Sequence, residues 1–72
     1  MKRYYATRLG NGPWRLSDKV SSPKEAFELC WRRQATKKDT IIDLGTNEGD
    51  ASEKFFVLVQ ESVEAVDDPN TT

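Results

Sequence analysis

The sequence predicts a small α+β domain: a β-β-α-β-β unit in two layers, a four-stranded antiparallel sheet with one helix on one face. Three observations carry this reading. An Asn-Gly pair lies between two strand-compatible runs, within Gly10-Asn11-Gly12-Pro13. Ser22-Pro23-Lys24-Glu25 opens a stretch of helical periodicity. Two runs rich in β-branched and aromatic residues follow, Thr40 to Leu44 and Lys54 to Gln60.

Arg3 to Leu9 is the first strand, and Trp14-Arg15-Leu16-Ser17 resumes an apolar/polar alternation as the second. An Asn-Gly turn between such runs makes them an antiparallel hairpin. Pro13 cannot donate to the ladder and belongs to the turn or the first position of strand two. Alternation places Tyr4, Ala6 and Arg8 on one face and Tyr5, Thr7 and Leu9 on the other. Leu9 marks the second set as inward, which leaves Tyr4 and Arg8 outside together with Arg3 or Lys2.

The helix starts with a capping box: Ser22 as N-cap, Pro23 at N1 and Glu25 at N3. Ala26, Phe27, Leu29, Cys30 and Trp31 then share one broad arc. Glu28 and Arg32 form a favourable i,i+4 pair, and Arg32, Arg33, Lys37 and Lys38 crowd the C-terminal turns, where the macrodipole favours cations. Thr40 to Leu44 is strand three, Gly45 to Ser52 a polar loop, and Lys54 to Gln60 a central strand four. A helix over that last run, capped by Asp50 or Ser52, is the alternative. Residues 1–61 make up the domain. Residues 62–72, acidic and poor in large apolar side chains, read as a flexible acidic C-terminal tail.

Composition narrows the chemistry. The chain has 72 residues, one cysteine and no histidine. Without histidine the usual general base near neutral pH and the commonest metal ligand are missing. Asp43 to Lys54 fails the calcium-loop pattern, with Gly45 at the third position and Lys54 at the twelfth. Gly10-Asn11-Gly12 lacks the Lys-Ser/Thr of a phosphate loop. Cys30 reads as a buried thiol acting as a small hydrophobe. The reading is therefore a non-enzyme with no cofactor and no metal. The charged N-terminus lacks the apolar stretch of a signal peptide, and the longest apolar run, Phe55 to Val59, is too short to cross a bilayer. A cytoplasmic protein that does not engage membranes follows, as a monomer rather than a homodimer.

The formal net charge of −1 hides a polarised chain. Residues 1–38 carry ten basic and three acidic side chains, and residues 39–72 carry one basic and nine acidic. Cations interleaved with aromatic rings can neutralise phosphates and stack on bases, or meet an acidic protein surface. The candidate binding residues are Lys2, Arg3, Tyr4, Arg8, Arg15 and Arg33. Acidic residues near the basic half would repel a nucleic-acid strand, whereas a bipolar surface suits a protein partner. Docking on a large protein complex ranks first. Nucleic-acid binding through the basic half, and a nucleic-acid mimic acting through the acidic half, are the alternatives.

A very short chain with one β-β-α-β-β unit, strong charge polarity and an acidic tail resembles small bacteriophage regulators of host machinery. It is similar in style to phage proteins that bind RNA polymerase, and to anti-CRISPR inhibitors. The resemblance lies in organisation and carries over no motif or functional residue. It implies a phage-encoded inhibitor or regulator of host RNA polymerase transcription, acting in the bacterial cytoplasm.

Overall fold

The computed structural model describes the backbone of residues 1–67 and the side chains of residues 1–61. The elements are β1 (Tyr4–Arg8), β2 (Trp14–Leu16), α1 (Pro23–Trp31), β3 (Thr40–Gly45) and α2 (Glu48–Asp67). The fold is α+β, but among the described residues its sheet has three strands and its helices number two, where four strands and one helix were expected. The strands run in the order β2-β1-β3, antiparallel throughout.

The segment expected as strand four lies within α2. Asn47 starts this helix: its side-chain oxygen accepts the Asp50 N–H at 2.9 Å, and its carbonyl accepts the Ala51 N–H at 2.9 Å. Neither Asp50 nor Ser52 is the cap. Glu48 and Asp50 in the first turn suit the positive end of the helix dipole. Gly45, at φ +92, makes the left-handed step that turns β3 back toward α2. Ala51, Phe55 and Leu58, at helical spacing, pack on the sheet with Ala6, Leu44, Tyr4, Trp14 and Ile42. That stripe gains more as a helix covering a whole sheet face than as an added strand, and the β preference of Phe55 to Val59 is overridden. Of the segment read as a tail, the backbone of 62–67 is carried in α2 and residues 68–72 lie outside the described residues.

Because successive residues of a strand point to opposite faces, β1 feeds two small cores. Tyr5 packs with Val20, Ala26 and Ile41 under α1, whereas Ala6 faces α2. The sheet is thus covered on both sides. Tyr5, Ala6 and Thr7 are all buried, and Tyr4, expected outside, is half-buried against the α2 side. Phe27 is fully buried, while Leu29, expected on the same apolar arc, is 62% exposed.

The hairpin and the helix start form as the sequence dictates. Ala6, Thr7 and Arg8 pair with Leu16, Arg15 and Trp14. Ser17 extends the pairing, its N–H donating to the Tyr5 carbonyl at 2.8 Å and its hydroxyl accepting the Tyr5 N–H at 3.0 Å. Ser22, in an extended conformation, accepts the Glu25 N–H at 3.2 Å. Glu25 reaches back to the Ser21 N–H at 3.0 Å, one residue beyond the usual capping-box donor. Ser22→Ala should lower stability by ~1 kcal/mol in urea denaturation, and an unchanged midpoint would contradict the cap.

At its other end α1 stops earlier than expected. Arg32 is in the left-handed region (φ 59, ψ 32), and its backbone N–H donates to the Glu28 carbonyl at 2.8 Å. Arg32 therefore meets Glu28 through its backbone, and the cations after it lie in a loop beyond the helix rather than on its last turns.

Candidate functional site

The six residues expected to bind a partner separate into two groups. Lys2, Arg3 and Tyr4 lie where β1 begins. Arg8, Arg15 and Arg33 lie at the hairpin-turn end, four residue steps (~13 Å) farther along. In the first group Lys2 is exposed. The Arg3 Nε–H donates to both Asp43 carboxylate oxygens, at 3.0 and 2.8 Å. The Gly45 N–H, and after it Arg3, hold the Asp43 carboxyl below the ordinary value of 3.8. The Lys19 ammonium stands 5.8 Å from the Tyr4 ring centroid. Arg3 and Tyr4 are thereby committed to holding the start of the sheet.

At the turn end, arginines lie on aromatic rings. The Arg8 guanidinium is 4.6 Å from the Trp14 ring centroid, and that of Arg15 is 4.1 Å from Trp31. Arg33 stands 5.3 Å from the Phe27 centroid. Such contacts occur about once per 70–80 residues, so three at one end of a small domain mark a built feature. Hydrogen bonds further fix Arg15 and Arg33. Arg15 donates to the Cys30 carbonyl at 2.8 Å, and Arg33 to the Gln34 carbonyl at 2.7 Å. The Trp31 indole N–H donates to the Thr7 hydroxyl at 2.9 Å. Cys30 is a half-buried free thiol, less enclosed than the sequence suggested.

The organising residue of this end is Asp39, which sequence reasoning missed. Its side chain is 2% exposed. Its oxygens accept from both terminal nitrogens of Arg33 (3.0 and 3.2 Å), from the Thr36 N–H (2.8 Å) and hydroxyl (3.0 Å), and from the Gly10 N–H (3.1 Å). One carboxylate thereby ties the hairpin turn, the loop after α1 and the entry to β3. The available signal was its position: it is the sole acid in the run 32–39, which carries Arg32, Arg33, Lys37 and Lys38. Those donors, Arg33 foremost and then the Thr36 N–H, hold the Asp39 carboxyl far below its ordinary value of 3.8.

Since the folded value is depressed, the stability from Asp39 is fully present above 3.8 and is lost as pH falls below it toward the folded value. An Asp39→Asn variant should thus be less stable than the parent at pH ~7, with the gap narrowing below pH ~4, where the carboxylate takes up its proton in the unfolded parent chain while the folded one stays ionised. Urea midpoints across that range check this, and a gap independent of pH would contradict it.

Arg32, Lys37 and Lys38 are exposed around this anchored centre, so the turn end is a basic pole. α2 carries the opposite sign: Glu48, Asp50, Glu53 and Glu61 are exposed on it, against the single cation Lys54 among its described side chains. Between α2 and β3 runs a groove of about 270 Å³ with Ile42, Leu44, Val57 and Leu58 in its lining. Among the described residues, no three His, Cys, Asp or Glu side chains are grouped as a metal site, and no helix is long and apolar enough to cross a membrane. No protein-family model, curated protein or solved structure matches the chain.

Proposed function

We propose that this chain is a non-enzymatic regulator that docks on a larger protein complex, meeting an acidic surface of its partner with the basic pole around Asp39. The observation that carries the reading is the anchoring of that pole. Arg8, Arg15 and Arg33 are held against rings, and Arg33 also against a buried carboxylate, so little side-chain freedom remains to be lost on binding. Arg32, Lys37 and Lys38 stand exposed beside them for contact. Complementary charge then steers the encounter and sets its orientation.

Protein is favoured over nucleic acid because the guanidinium donors of Arg15 and Arg33 already serve carbonyls and Asp39. The exposed cations that remain at the pole neutralise few phosphates, and the carboxylates of α2 repel a long strand.

The partner we propose is bacterial RNA polymerase, with the chain acting as a phage-type regulator of transcription. That identity rests on the charge polarity alone, since the β-β-α-β-β part of the resemblance gives way to β-β-α-β-α. The test offers the immobilised chain purified core RNA polymerase or duplex DNA at ~0.15 M salt, where long-range charge effects are screened. Retention of nuclease-treated polymerase supports the reading. Retention of DNA alone, lost steeply as salt rises, replaces it with nucleic-acid binding.

A further inference from the structure

Of the arginines held on rings at the turn end, Arg8 differs from the other two in its donors. Arg15 and Arg33 donate to the Cys30 and Gln34 carbonyls and to Asp39. Arg8 makes no hydrogen bond or ion pair among the described residues, and its Nε is buried without a partner. An enclosed donor left unpaired destabilises a fold, and more so when it belongs to a charged group. The Trp14 ring, 4.6 Å from the guanidinium, offsets part of that penalty.

Arg8 also stands on the other side of the sheet. Strand alternation puts it with Tyr4 and Ala6 on the α2 side, where Trp14 packs as well. Arg15 and Arg33 lie instead over Trp31 and Phe27 of α1. Arg8 as a whole is only half-buried. With Nε enclosed and the guanidinium held on the ring, the pair of terminal nitrogens is the end left to a ligand.

We propose that Arg8 is the specificity-determining contact of the docking surface, gripping one Asp or Glu carboxylate of the partner protein through those two terminal nitrogens. This rests on the docking reading above, and adds to its loop cations a contact on the α2 side of the turn end. A carboxylate matches the planar fork with two parallel hydrogen bonds. The Trp14 ring holds the fork in place beforehand, so less side-chain freedom is lost on binding. Buried polar groups are nearly always paired, and departures from that rule concentrate at functional sites. The unmade bond at Nε is what it costs to hold the fork there. A phosphate also fits a guanidinium fork. However, α2 presents exposed Glu53 and Glu61 on this side of the sheet, against Lys54, and these carboxylates repel a strand of phosphates.

Two measurements on the full chain test the proposal. In urea denaturation, Arg8→Met keeps an apolar stem on Trp14 and removes the enclosed donor, so its midpoint should equal or exceed that of the parent. A markedly lower midpoint assigns Arg8 to stability and overturns the proposal. In the second, the nitrogen-15-labelled chain is titrated with the peptide Gly-Asp-Glu-Gly-Asp-Glu-Gly at ~0.02 M salt, where charge contacts are weakly screened. The Arg8 Nε–H resonance should shift, with a dissociation constant on the order of 1 mM. Arg8→Lys keeps the charge but loses the fork, and should weaken peptide binding about 5-fold or more.

Full binding by the Lys variant, or no Arg8 shift at ~5 mM peptide, overturns the proposal. Shifts of residues 32–38 without Arg8 overturn it and leave the docking reading standing. Shifts at Arg8 without residues 32–38 support it and contradict the pole as the docking surface. An oligothymidylate that shifts Arg8 more strongly than the peptide overturns it in favour of nucleic acid.

Discussion

Phe27→Ala is expected to abolish cooperative unfolding at 25 °C. Phe27 is the largest fully buried side chain among the described residues, and it packs α1 together with the Trp31 ring, 6.4 Å away between centroids. Truncating a buried Phe costs ~3–5 kcal/mol in lost transfer energy and residual cavity. A core in a domain this small supplies no more than ~3–5 kcal/mol of net stability, so the variant should sit at or past its unfolding midpoint without denaturant. The effect also reaches the basic pole, because Arg33 stands over the Phe27 ring. Urea titration followed by Trp fluorescence and far-UV circular dichroism measures it. A cooperative transition within ~1 kcal/mol of the parent would contradict the packing described for α1.

The second large effect separates a helix from a strand at residues 54–60. Phe56 is exposed on the middle of α2, so substituting it tests the backbone more than the packing. Phe56→Pro removes an interior helical hydrogen bond and clashes with the carbonyl four residues earlier, at a cost of ~3 kcal/mol or more. Phe56→Ala should be neutral or stabilising by up to ~0.5 kcal/mol, because Ala is the better helix former. In a strand the order of tolerance differs: Ala is a poor strand former and would itself destabilise. A large loss with Ala would therefore contradict the helix.

What was legible in the sequence was local. Gly10-Asn11-Gly12 specifies its hairpin within a few residues, and the Ser22 cap is satisfied by residues of its own first turn. α2 was hidden by two opposing signals. Gly49 sits in its first turn, where the sequence reads as loop, and the run Phe55 to Val59 favours a strand on intrinsic preference. Only the sheet face that receives Ala51, Phe55 and Leu58 decides between them, and that face is assembled from β1, β2 and β3.

The candidate site divides in the same way. The basic-aromatic composition of the first half was legible, and the arginines do lie on rings. The partition of Lys2, Arg3 and Tyr4 from Arg8, Arg15 and Arg33 depends on which end of β1 each one meets. Asp39 could not be singled out, because one of its donors, the Gly10 N–H, comes from 29 residues earlier in the chain. The edge groove beside β3 was equally hidden, since it exists only once residues 54–60 are helical.

The most direct test of the docking account is the association rate of the chain with core RNA polymerase, compared between the parent and Lys37→Glu/Lys38→Glu. Both lysines are exposed, so the fold tolerates the change and the reading concerns charge alone. Steering by a basic pole predicts association slowed ~10-fold or more in the variant, a parent rate that falls with added salt, and a dissociation rate changed far less. Equal association rates for parent and variant, or no binding by the parent, would contradict it.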